Sequence, residues 1–172
     1  VITGPNGSGK CIAGEQKIFL LGEEVEVKRF FEKIYEEKKN ILLTTDEAEY
    51  LISLELPALP SLEERQHKLI FSKPLAIMKK KYNGTILEII GENGSKIRVT
   101  PEHKVLSEQG WKNAKDLNLG IRMLSFGELK TDWEKICEIK TIKYIGDVYD
   151  IYLSRQHNYL IGEYGIVVHN SN

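Results

Sequence analysis

An all-β body interrupted by one helical stretch is the fold class that three observations on the 172 residues predict. Short runs rich in Ile, Val and Tyr recur about every ten residues. Gly, Asn and Asp stand between those runs. One segment, 28–40, abandons alternation for a helical period.

Taken in order, Lys17–Leu21 and Glu24–Val27 are short extended runs parted by Gly22. Lys28–Asn40 (KRFFEKIYEEKKN) puts Phe30, Phe31, Ile34 and Tyr35 on one face with charges around the rest, which predicts an amphipathic helix. Leu51–Leu69 carries Pro57 and Pro60 and then Ser61-Leu62-Glu63-Glu64, the pattern of a second helix start. The stretch 28–69 is therefore a partly helical insertion. After Pro74 the texture returns to β: Asn83-Gly84 and Asn93-Gly94 flank the apolar run Ile86–Ile90, and each Asn-Gly predicts a tight hairpin turn. Lys96–Val99, Lys104–Ser107, Gly120–Phe126, Cys137–Tyr144, Val148–Leu153 and Tyr159–Val168 complete the strands.

Composition removes several function classes. Lys and Arg number 24 against 25 Asp and Glu, so a net charge of -1 exerts no general pull on nucleic acid or anionic membrane. Two cysteines are too few for a disulfide scaffold, and no apolar stretch reaches spanning length. A cytoplasmic monomer with no nucleic-acid or membrane partner is expected. Lys and Glu dominate the charged set, a hint of a heat-adapted source.

The first ten residues, VITGPNGSGK, have another texture. A phosphate loop reads G-x-x-x-x-G-K-[ST], because glycines let backbone N–H groups reach phosphate, Lys meets the terminal phosphates and a hydroxyl holds Mg²⁺. Gly4, Gly9 and Lys10 fit, but Cys11 stands where the hydroxyl belongs, and no helix pattern follows. The other end reads Gly165-Ile166-Val167-Val168-His169-Asn170-Ser171-Asn172. Joining Lys10 to Ser171 would give VITGPNGSGKSN, a complete loop with Gly4, Gly9, Lys10 and Ser171 in place.

Four blocks lie between or at these ends: Cys11-Ile12-Ala13-Gly14; Thr100-Pro101-Glu102-His103; Val148-Tyr149-Asp150-Ile151 with His157-Asn158-Tyr159; and Gly165 to Asn170 followed by Ser171. In this order they resemble an intein, a self-splicing insert of the Hint family, over Cys11 to Asn170. The resemblance implies a horseshoe-shaped all-β fold with both splice junctions in a central cleft. It also implies host segments at 1–10 and 171–172 around a splicing domain at 11–170, with the chain's own flanks as substrate and neither cofactor nor metal. Val105–Val148 holds no repeated acidic helix pair, so a mini-intein without homing endonuclease is expected.

The residue types suit that chemistry. The Cys11 thiol can attack the Lys10 carbonyl and turn the Lys10–Cys11 peptide into a thioester. His103, with an ordinary histidine pKa near neutrality, suits the acid that protonates the leaving nitrogen, and Thr100 can orient it or bond the scissile peptide. Ser171 then takes the acyl group, with Asp150 the matching family position to activate it. The Asn170 side chain cyclises on its own carbonyl, which His169 polarises while His157 relays protons. The resulting ester rearranges to a Lys10–Ser171 amide.

Other residues carry blander expectations: Cys137 as core packing, His67 as a solvated helix residue, and Lys79–Lys81 as an exposed edge or loop. The host loop resembles the nucleotide-binding head of SMC-type ATPases, inactive until spliced. Two alternatives remain open: a fragment of a nucleotide-binding phosphate-loop domain, which needs a helix after Lys10, and a cleavage-only Hint domain.

Overall fold

The computed structural model describes residues 10–20, 23–37, 40–53, 55–127 and 130–170. Its strands are β1 (Ile12–Ala13), β2 (Lys17–Leu20), β3 (Glu23–Glu26), β4 (Ile41–Thr44), β5 (Glu49–Ile52), β6 (Leu59–Glu63), β7 (Lys68–Ser72) and β8 (Pro74–Gly91). They continue with β9 (Lys96–Val99), β10 (Lys104–Ser107), β11 (Gly110–Asn113), β12 (Arg122–Gly127), β13 (Lys130–Leu153), β14 (Asn158–Ile161) and β15 (Ile166–His169). Among the described residues one α-helix, α1 (Val27–Glu36), follows β3. The predicted all-β class holds.

Hydrogen bonding runs β3-β2-β14-β15-β10-β12-β13-β1-β9-β8-β5-β4, with β11 added to β10 and β6–β7 as a separate hairpin. The 24-residue β13 unites the molecule, pairing with β12 through Lys130–Lys135 and with β8 from Ile136 to Leu153. The main core holds Ile12, Phe30, Phe31, Ile77, Ile89, Val99, Val105, Tyr149, Tyr159 and Val168, all buried. A second cluster gathers Cys11, Ala13, Met78, Ile86 and Val148. Burial of each large apolar side chain contributes about 1.5–3 kcal/mol.

Helix α1 buries three residues of the predicted face, Phe30, Phe31 and Ile34, while the fourth, Tyr35, is exposed, and Phe31 meets Tyr149 edge-on at 5.8 Å. It ends before Asn40 because the Asn40 amide caps it, donating to the Ile34 carbonyl at 2.6 Å and the Tyr35 carbonyl at 3.2 Å.

Several expectations are corrected. The second helix start, Ser61–Glu64, belongs to strand β6 and the turn after it. The Asn158 side chain accepts from Leu62 N–H at 2.8 Å and donates to Leu62 C=O at 3.0 Å, holding that backbone extended as a strand neighbour would. Of the insertion 28–69, α1 is the helical part and the rest of its regular structure is strand. Asn83-Gly84 makes no turn: β8 runs through it, pairing Asn83 with Ile145 and Gly84 with Tyr144. There the Tyr82 ring folds over Gly84, its hydroxyl donating to Thr85 C=O at 2.8 Å, while across the ladder Tyr144 covers Gly146. Aromatic cover of two glycines outcompetes the local turn signal. Asn93-Gly94 does form the predicted turn, Gly94 taking a φ of 95°.

Lys79–Lys81 lie within β8, and the half-buried Lys79 places its ammonium 5.4 Å from the Phe31 ring centre. Cys137 is exposed rather than packed in the core, because a β-bulge between Ile136 and Glu138 turns it outward where β13 changes partner. His67 is exposed as expected, but at a φ of 51° in the β6–β7 turn rather than on a helix. No helix among the described residues is long and apolar enough to cross a membrane.

Candidate active site

Two strand triplets assemble the site. β1 lies between β9 and β13, with Ile12 opposite Val99 on one side and Tyr149 on the other. Antiparallel partners run oppositely, so one step back from Ile12 is one step forward on both neighbours, and Cys11 comes to stand between Thr100 and Asp150. β15 lies between β10 and β14, with Val168 opposite Val105 and Tyr159. Two steps further on, Asn170 stands between His103 and His157. The turn from Thr100 to His103, closed by His103 N–H on Thr100 C=O at 3.0 Å, joins the triplets. Residues predicted from both chain ends and the middle therefore meet.

Thr100 grips Cys11 on both sides. Its hydroxyl accepts the Cys11 N–H at 2.8 Å, the nitrogen of the Lys10–Cys11 peptide, and donates to Cys11 C=O at 3.1 Å. Its own N–H donates to that carbonyl at 2.9 Å. Cys11 is fully buried. Burial pushes its thiol pKa well up and the Asp150 carboxylate adds to that, while Lys80 and the Lys10 backbone oppose it. Cys11 thus rests as a thiol.

His103 is fully buried as well, and desolvation lowers its pKa to about 3, with the Lys10 backbone beside the ring opposing the shift and His169 adding to it. Among the described residues neither ring nitrogen has a hydrogen-bond partner of good geometry. The expectation of a near-neutral pKa is therefore corrected: the imidazole rests uncharged because burial strips water from its cation.

Asp150 is buried, and its Oδ1 accepts from Ile151 N–H at 2.9 Å and from the Tyr159 hydroxyl at 2.8 Å. At the other junction, His169 Nδ1 lies 2.5 Å from the Asn170 carbonyl oxygen, so the tautomer with a proton on Nδ1 donates to it. Burial lowers the His169 pKa, the Asn170 backbone opposes this, Lys104 and His157 lower it further, and Glu64 counters them. Asn170 is buried, and its N–H donates to His157 C=O at 2.8 Å. His157 reaches that geometry at a φ of 52°, a left-handed conformation uncommon outside glycine. Its exposed ring stacks on His169 with centres 6.3 Å apart, so the ring meets His169 and the backbone meets Asn170.

Sequence reasoning missed three contributors. The Asn158 side chain, buried between β14 and β6, ties the hairpin to the C-terminal junction. Trp111 packs edge-on to His169 at 5.0 Å and donates its indole N–H to Glu64 at 3.0 Å. The Tyr159 hydroxyl binds Asp150, a role that the block His157-Asn158-Tyr159 does not reveal. Gly4, Gly9 and Ser171 lie outside the described residues. No helix follows Lys10, where Ile12–Ala13 is a strand, so the nucleotide-binding alternative loses the element it requires.

No family model matches the chain. Among curated relatives, an A-type ATP synthase subunit of Thermoplasma acidophilum is 27% identical over 187 aligned positions, covering 99% of this chain. The chain spans about a quarter of the length of the first curated relatives it matches, 23% and 24%. Among solved structures, the PabCDC21-1 intein is 27% identical with a TM-score of 0.81, over 95% of this chain and 100% of that one. The TvoVMA intein is 24% identical with a TM-score of 0.84, over 95% and 99%. The chain therefore has the fold of the inteins it resembles, mostly β with one helix.

Proposed function

We propose that residues 11–170 excise themselves and join Lys10 to Ser171. What carries the reading is the alignment of Cys11 between Thr100 and Asp150 and of Asn170 between His103 and His157, linked by one turn. Cys11 and Asn170, far apart in sequence, are both buried and both stand at the ends of the Thr100–His103 turn, which supports the high effective molarity this reaction requires.

In the first step Cys11 Sγ attacks the Lys10 carbonyl carbon. The oxyanion that forms beside His103 raises the basicity of that imidazole, which takes the thiol proton and delivers it to the departing Cys11 nitrogen. Thr100 holds that nitrogen throughout. The oxyanion collapses, the C–N bond breaks and a thioester remains. Ser171 Oγ then attacks the thioester, its proton passing to Asp150 and on to the Cys11 sulfur as the C–S bond breaks. The Asn170 side-chain nitrogen next closes on its own backbone carbonyl, polarised by His169 Nδ1–H, and expels the Ser171 amine, which takes up the proton the ring nitrogen loses. That free amine captures the Lys10 ester to give a peptide bond.

The ligated product would carry GPNGSGKS, a phosphate loop in an ATP-hydrolysing host of SMC type. A relative named as part of an ATP synthase is consistent with an ATPase host. Intact-mass measurement tests the proposal: incubation of the full chain should release a Cys11–Asn170 species lacking one water, or its hydrolysed form, with the ligated flanks. A chain that stays whole on heating with Cys11 and Asn170 unmodified would refute it.

A further inference from the structure

Asp150 and His103 serve different steps of the proposed reaction, and one side chain touches both. Tyr159, buried in β14 at 1% exposure, donates its hydroxyl to Asp150 Oδ1 at 2.8 Å. The same ring meets the His103 imidazole edge-on, centres 6.4 Å apart and planes at 81°. Its register sets it opposite Val168, two residues before Asn170. A phenylalanine would supply the wall against His103 but leave Asp150 one donor short.

We propose that Tyr159 is a positioning residue for acyl transfer, its hydroxyl fixing the Asp150 carboxylate beside Cys11 while its ring braces His103. The inference rests on the splicing reading above and assigns this chain a device that acts on the ligation step. Asp150 Oδ1 receives two donors, Tyr159 O–H and Ile151 N–H, so the carboxylate is aimed from two directions. The phenol remains a donor at working pH because burial and the adjacent carboxylate push its pKa well up. The titratable groups facing this pair are Cys11, held between β9 and β13, and His103, whose ring meets Tyr159, while Lys80 of β8 acts electrostatically on Cys11. A carboxylate that loses a donor becomes easier to protonate.

The test uses the full chain and separates the two steps. Thiol-induced cleavage at Lys10–Cys11 reports the thioester, and ligated product reports acyl transfer. Tyr159→Phe should leave thiol cleavage within about threefold of the parent and reduce ligation at least about tenfold, with the acid limb of the ligation profile moved to higher pH. Incorporating 4-aminophenylalanine at 159, which restores a donor on the same ring, should recover ligation and return the limb toward its original position. Equal ligation rates and coincident pH profiles for the parent and Tyr159→Phe would overturn the inference, as would equal losses in both steps or no recovery with the amino analogue. A parent chain that makes no ligated product would instead overturn the splicing reading, a distinguishable outcome.

Discussion

His103 illustrates how burial rewrites a residue's chemistry. Its pKa of about 3 in the folded chain lies below the ~6.5 of an exposed imidazole, so between those values the unfolded chain binds a proton that the folded chain does not. This contribution to stability is complete above pH ~6.5 and is lost as pH falls toward 3. Urea unfolding should therefore show stability falling by a few kcal/mol from pH 7 to pH 3.5, with His103→Leu flattening that part of the slope; an unchanged slope would reject a neutral resting imidazole. Thr100 binds the nitrogen of the Lys10–Cys11 peptide directly. Thr100→Val keeps the shape but removes two hydrogen bonds to Cys11, so thiol cleavage should slow about 10–100-fold and stability drop by about 1–3 kcal/mol. Thr100→Ser should retain most of both, checked by a cleavage time course and denaturant midpoint. These two residues were legible because they lie three apart in one short block. The Tyr159–Asp150 bond was not, since a hydroxyl declares no partner in the sequence.

At the scale of elements, the β6–β7 hairpin shows where local pattern misleads. Ser61-Leu62-Glu63-Glu64 has the composition of a helix start, yet its backbone partners are the Asn158 amide and strand β7. The amide lies 96 residues away, beyond any window of periodicity. Asn158→Ala would strand the buried Leu62 N–H and C=O and should cost about 2–4 kcal/mol in denaturant melts. Hydrogen exchange should rise first in β6 and in the His169–Asn170 segment rather than in β8; uniform exchange would argue against this hairpin as a brace of the C-terminal junction. Strand β8 failed the opposite way, its Asn-Gly turn signal overruled by Tyr82 and Tyr144 across the ladder. By contrast β9 and β10 match their predicted bounds, because each is a four-residue run, Lys96-Ile97-Arg98-Val99 and Lys104-Val105-Leu106-Ser107, that ends at a turn.

Across the whole molecule the groups of the proposed reaction are brought together by non-local pairing: β1 with β9 and β13, β15 with β10 and β14. Neither junction is assembled by a local turn alone. Thiol cleavage at Lys10–Cys11 should accordingly vanish in the same urea transition that removes the β circular-dichroism signal, whereas cleavage surviving past that midpoint would point to a locally formed site. Native alkylation should separate the cysteines, the exposed Cys137 reacting long before the buried Cys11, as peptide mapping would report. The all-β class was legible from residue texture, but the 24-residue β13 was not, since Gly146-Asp147 reads as a break between Cys137–Tyr144 and Val148–Leu153, and the change of partner at Cys137 hides the Lys130–Ile136 stretch.

The pinning of Cys11 N–H by Thr100 and of Asn170 N–H by His157 has a consequence for inheritance. Both anchors belong to the interval 11–170, so in the proposed reaction the grip on each cut point would travel with the insert. On that reading the element would be transplantable: set between unfamiliar sequences, it would bring its own clamps and ask of its new neighbours chiefly an acceptor hydroxyl.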